Sequence, residues 1–316
     1  MDLQQDWQVN KNLKSRMMHL LETGTWMDCH FMVGPETNCK MIGAHKFILC
    51  MASPVFQAML RGDLAGNDET IHVPDVEPEI FELLLKYIYT DEISVGSVDE
   101  SIKLFYAADK YMFPIATDHC LAYLQSAINP QNVCRIYEFA MLHSQLNFVN
   151  KCMHYIMNNA KDVLNDESFM EVDLTTIIEI LDFEYLNIDN ELDCYRALSK
   201  YALKHQLCLS KDFAAGNSKN EGQESKTNGQ LTEAEVVPAS NRNLPTIRDA
   251  LLRIRFLTLT PEQLAPELAK MDLLTQTEAF SILMNVITPD NGYPMPEGFC
   301  TERQRRKRIL TIKKAT

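Results

Sequence analysis

No stretch of the chain approaches the roughly 18 uninterrupted apolar residues that a membrane-crossing helix needs. The opening MDLQQDWQVNKNLKSRMM lacks the apolar core and small-residue cleavage site of a secretory leader. An intracellular protein is expected. The nine cysteines (29, 39, 50, 120, 134, 152, 194, 208 and 300) stand singly, with no CxxC pair, and their odd number argues against a fully paired disulfide framework, so they read as reduced thiols. Cys29-His30, His119-Cys120 and Cys152-x-His154 are the nearest approaches to a metal-ligand cluster, and none has the paired spacing of a tetrahedral zinc site. The phosphate loop GxxxxGK[ST], the GxGxxG turn, the GxSxG elbow and the HExxH helix are all missing, which removes the common sequence-visible catalytic plans. No cofactor, no metal and no enzymatic activity are expected.

Positive charge is also short. Thirty Lys and Arg face 43 Asp and Glu, and the formal charge of −13 repels nucleic-acid phosphates and anionic lipid over most of the surface, so neither partner is expected. The exception is RQRRKR at 303–308, where Arg303, Arg305, Arg306, Lys307 and Arg308 read either as a solvated tail or as a nuclear-import or anion-binding segment. What remains is ordinary: 316 residues, 46% hydrophobic and 23% charged, enough for one large domain or two smaller ones with real cores.

Val9, Leu13, Met17, Leu20 and Leu21 follow a helical repeat that ends at Gly24 and makes one apolar stripe. DCHFMV (28–33) and CKMIGA (39–44) flank the turn-forming GPETN as a hairpin, and TIHVPD (70–75) reads as an edge or terminal strand. Ser53-Pro54 marks a helix start, since serine accepts a free backbone N–H and proline loses no bond at the first helical position. Ser97-x-x-Glu100 opens another helix as a capping box. After Asn129-Pro130 only helical pairs follow: Val133–Met141 and Leu146–Met157 form a helix hairpin, and Leu174–Leu181, Tyr195–Leu203, Ile247–Phe256 and Thr275–Val286 continue the pattern. About 212–243 is polar, without aromatics, and reads as a disordered insertion.

DCHFMV, AHKFILCMASPVFQAMLRG, IHVPDVEPEIFELLLKYIYTDEI and AADKYMFP together resemble a BTB/POZ domain, in order over nearly all of residues 10–128. LLRIRFLTLTPEQLA followed by LLTQTEAFSILM is similar to the BACK domain that follows BTB domains, and the whole looks closest to the subfamily that usually adds a C-terminal PHR β-sandwich, for which no counterpart is expected here. The resemblance implies an α+β, mostly α fold: a BTB/POZ helical cluster with a short β-sheet, then an all-α BACK domain. The expected division is 1–24 a dimerisation helix, 25–128 BTB/POZ, 129–288 BACK with its insertion, and 289–316 a basic tail.

For function the resemblance implies a non-enzymatic, homodimeric adaptor that presents a cullin-3 ubiquitin ligase to an unidentified protein cargo, or else a scaffold or transcriptional co-regulator independent of cullin. A cytoplasmic location is expected, with the nucleus as the alternative. Leu13, Met17, Leu20 and Leu21 are the expected dimerisation residues. Phe56, Met59, Leu64, Tyr111 and Phe113 are the expected cullin contacts, with plain core packing as the favoured reading for Phe56 and Met59, although the loop LRGDLAGNDE lacks an acid in register after Leu64. Asp28, His45 and Lys46 are expected to form a paired charged pocket near the dimer seam, because a buried charge needs a partner; the other reading of His45-Lys46 is a catalytic pair.

Overall fold

The computed structural model describes residues 6–9, 11–61, 70–207, 245–270, 273–289 and 292–308. The chain divides into two compact units, Met1–Ile128 and Asn129–Thr316. In the first, the single N-terminal stripe is broken in two. Asn12 accepts the Ser15 N–H at 2.8 Å and starts a new helix, so that α1 (Asp6–Val9) is separate from α2 (Leu13–Thr23) and Val9 is left 78% exposed. Gly24, at φ 67°, ends α2 where a side chain would be strained.

Strand β1 (Cys29–Val33) pairs antiparallel with β2 (Lys40–Ala44) and parallel with β3 (Thr70–Val73), giving the order β2-β1-β3 with β3 at an edge. Helices α3 (Lys46–Ala52), α4 (Pro54–Arg61), α5 (Pro78–Thr90), α6 (Val98–Lys110) and α7 (Pro114–Ser126) complete the unit. Ser53 starts α4 as its sequence suggests: its Oγ accepts the N–H groups of Val55 and Phe56 and donates to the Tyr111 carbonyl at 2.7 Å. That hydroxyl therefore also ties α4 to the end of α6. The core beneath is aromatic. Phe56 stacks on Tyr111 with ring centres 4.3 Å apart, and Phe31 and Phe81 pack edge-on or tilted around them.

The second unit is helical. Helices α8 (Val133–Leu142) and α9 (Leu146–Asn158) form the expected hairpin, followed by α10 (Ala160–Asn165), a 3₁₀ turn at Glu167–Glu171, α11 (Leu174–Asp182) and α12 (Glu191–Lys204). Then come α13 (Ile247–Leu251), a 3₁₀ turn at Phe256–Thr258, α14 (Pro261–Leu268) and α15 (Gln276–Ile287). The expected insertion at about 212–243 lies within 208–244, outside the described residues. The helix expected over Ile247–Phe256 is cut to five residues because the chain tightens after Leu251 and the Arg255 N–H turns to the Glu191 carboxylate at 3.1 Å.

Candidate interaction surfaces

Helix α2 lies against α5, yet none of its side chains is fully buried. Leu13 is 67% exposed, and Met17, Leu20 and Leu21 are only half covered. One cleft of about 280 Å³ runs beside it, lined by Met18, Leu21, Met27, Met41, Ile42 and Leu85 among others, and a second of about 350 Å³ touches Met18, Leu83, Ile93 and Leu104. An amphipathic helix with open space beside it retains surface that a further body could cover.

His45 is buried, and its hydrogen bonds determine what it can do. The Thr25 carbonyl lies 2.8 Å from Nε2 and can only accept, so Nε2 carries the proton; Nδ1 then accepts the Tyr89 hydroxyl at 2.7 Å, whose oxygen accepts the His45 backbone N–H. Both ring nitrogens are committed, which makes the residue a structural tie and leaves no base for catalysis. Asp28 does not join it. Asp28 is exposed and accepts the Lys46 backbone N–H at 2.7 Å, capping the start of α3, so the expected buried charge cluster of Asp28, His45 and Lys46 resolves into two separate arrangements.

The residues expected to touch cullin are also redistributed. Phe56 and Tyr111 are 0% exposed and Phe113 is 6% exposed; all three are core, Met59 is half-buried, and Leu64 lies outside the described residues. The apolar side chains that do reach solvent nearby in sequence are Met112 (59%) and Ile115 (62%) at the α6–α7 corner, with Phe47 and Met51 on α3. Sequence reasoning missed Phe47 and Met51 because FILCM is apolar on every side, so its outer face carries no polar mark.

The basic segment is not a free tail as far as Arg308. Arg306 and Glu191 are each 2% exposed in the side chain and bonded at 2.8 Å; Arg306 also donates to the carbonyls of Phe183 (2.7 Å) and Arg253 (3.0 Å). Lys307 forms a parallel bridge with Tyr185, its N–H donating to Glu184 and its carbonyl accepting from Leu186. Arg308 donates to the Ile188 carbonyl at 3.0 Å. Arg303 and Arg305 remain exposed. The segment docks because a guanidinium can satisfy a buried carboxylate and two buried carbonyls at once.

Against known families, residues 17–128 match the model described as BTB/POZ domain, and residues 133–214 match the one described as BTB And C-terminal Kelch. The chain carries a BTB/POZ domain followed by a BACK domain. It is 31% identical over 279 residues to BTB/POZ domain-containing protein 6-B of Danio rerio, covering 88% of this chain and 52% of that protein. It is 31% identical over 272 residues to BTB/POZ domain-containing protein 6 of Homo sapiens (86% and 46%) and 33% identical over 210 residues to BTB/POZ domain-containing protein 3 of Homo sapiens (66% and 40%). It thus spans about half the length of the curated relatives it matches. BTB-BACK chains are adaptors built for protein interaction. The BACK match ends at 214, whereas the compact unit runs on through α13 to α15 and the docked basic segment.

Proposed function

We propose that this chain is a homodimeric adaptor, without chemistry of its own, that brings a protein cargo to a cullin-3 ubiquitin ligase from the cytoplasm. The observation that carries the reading is α2: eleven residues with Leu13, Met17, Leu20 and Leu21 in one stripe, and none buried by its own chain. A second copy is the body that suits such a helix. Full burial of such a side chain contributes about 1.5–3 kcal/mol, of which a second copy would supply most for Leu13 and about half for Met17, Leu20 and Leu21. Cullin would meet the α6–α7 corner, where Met112 and Ile115 are exposed, in place of the buried Phe56, Tyr111 and Phe113.

The test is a pair of variants. With Leu13, Met17 and Leu20 all changed to Asp, light scattering should give a monomer or aggregates, and an unchanged dimer mass rejects the α2 seam. With Met112→Asp and Ile115→Asp combined, cullin-3 recovery in a pull-down should drop while the dimer persists; full recovery leaves the scaffold reading, which needs no cullin, as the better one. Burial of Arg306 counts against 303–308 as a free import signal and so favours the cytoplasm.

A further inference from the structure

Within a chain of formal charge −13, one small cleft of the second unit is lined by three arginines. It measures about 210 Å³ and is bounded by Arg305, Arg306 and Arg308, with Asn190, Thr258, Ile188 and the acids Asp189 and Glu191. Both acids are already matched. Glu191 holds Arg306 and the Arg255 N–H, and Asp189 is ion-paired with Lys161, which keeps its carboxyl below the usual carboxylate range.

The other two arginines are held more loosely. Arg305 is exposed and has no ion-pair partner among the described residues. Arg308 has Nη2 held by the carbonyls of Ile188 (3.0 Å) and Asp189 (3.4 Å), which aims its guanidinium, and it forms a long ion pair of 4.0 Å with the Asp189 carboxylate, an acid it shares with Lys161. Arg306, locked to Glu191 underneath, fixes the strand so that its neighbours at 305 and 308 stay at the cleft. Asn190 accepts the Leu192 N–H with Oδ1, so its amide nitrogen remains a donor.

We propose that this cleft binds a phosphate monoester, with the Arg305 guanidinium as a fork, the Nε and Nη1 groups of Arg308 as single donors and the Asn190 amide as a further donor. One fork, the remaining Arg308 N–H groups and an amide offer more donors than the two oxygens of a carboxylate use, whereas a phosphate monoester brings three acceptor oxygens and a charge of about −1.5 to −2 at neutral pH. That charge suits a cleft whose three arginines outnumber its two acids, one of which also holds Lys161. The volume lies below the roughly 300–1,000 Å³ of sites for drug-sized ligands, which suits a single group and not a large molecule. The proposal is independent of dimerisation and of cullin.

Titration calorimetry on the full chain at constant ionic strength tests it, with inorganic phosphate and O-phosphoserine as probes and chloride and serine as comparators. Both phosphates should bind, serine should not, and Arg305→Ala with Arg308→Ala should weaken phosphate by about tenfold or more, as loss of charge-assisted bonds does. Arg303→Ala, outside the cleft, should leave it unchanged. If the double variant lowers the unfolding midpoint without ligand, Arg305→Gln alone replaces it, since that side chain is exposed. Absence of binding beyond chloride, equal binding of serine, or equal affinity in the Arg305 and Arg308 variants overturns the site.

Discussion

Met112, the residue that follows Tyr111, the cap of α6, holds φ 59°, the conformation in which glycine is usually found. Around it the Phe113 N–H bonds the Ala108 carbonyl at 2.8 Å and the Met112 N–H bonds the Asp109 carbonyl at 3.0 Å, the full bonding pattern of a Schellman turn. A non-glycine residue there costs about 1–2 kcal/mol in backbone sterics, partly offset by the extra freedom glycine loses on folding. Met112→Gly should therefore leave the protein as stable or up to about 1 kcal/mol more stable in urea unfolding. At the same time it should reduce cullin-3 recovery, because it removes an exposed side chain from the proposed contact. A variant that gains stability and keeps full recovery would show that the side chain has no part in binding.

At the scale of elements, the sequence was most legible where one residue type has one structural use. Ser53-Pro54, Gly24 and the hairpin around GPETN all fall where their chemistry puts them. Ser97 caps α6 by accepting the Glu100 N–H, but the Glu100 carboxylate takes the Gly96 N–H, one residue earlier than a reciprocal box would have it. Three complete capping boxes, Thr246 with Asp249, Thr260 with Gln263 and Thr275 with Glu278, open α13, α14 and α15, and their Thr-x-x-Asp/Gln/Glu spacing could have been read in advance. Helix ends at Ser144 and Gln206 carried no such mark, since each turn places a non-glycine residue at positive φ. The candidate site was less legible than the fold. Periodicity tells which residues are apolar, but Phe56 and Tyr111 stack inward while Met112 points to water, and only the packing of four aromatic rings decides that. Ser53→Ala should cost about 2 kcal/mol, from the lost cap together with the unsatisfied Tyr111 carbonyl, as a downward shift in the thermal midpoint. Ser53→Thr, which keeps the hydroxyl, should lose less.

Across the whole molecule, buried thiols make stability depend on alkali. Burial raises Cys29, Cys134 and Cys152 from an ordinary 9.0 to about 12 and Cys120 to about 11, and it pushes Cys194 up as well. In the fold these groups keep their protons; in the unfolded chain they release them once the pH passes about 9. Their contribution is complete below pH 9 and is lost as the pH rises toward 12. The urea midpoint should thus fall between pH 8 and pH 11, and a Cys134→Ala, Cys152→Ala variant should show a shallower fall, whatever its starting stability. A pH-independent midpoint would mean that these thiols ionise in the folded state as they do in water.

The ion pair between Glu191 and Arg306 spans 115 positions of sequence, and this orders events during synthesis. Domains form from the N-terminus as the ribosome releases them, at about 5–20 residues per second. The first unit has every residue it needs once Ile128 is free. The second must wait, with the Glu191 carboxylate lacking its counter-charge, until Arg306 emerges. A chain that lacks Arg306 leaves a buried carboxylate uncompensated, which is strongly destabilising.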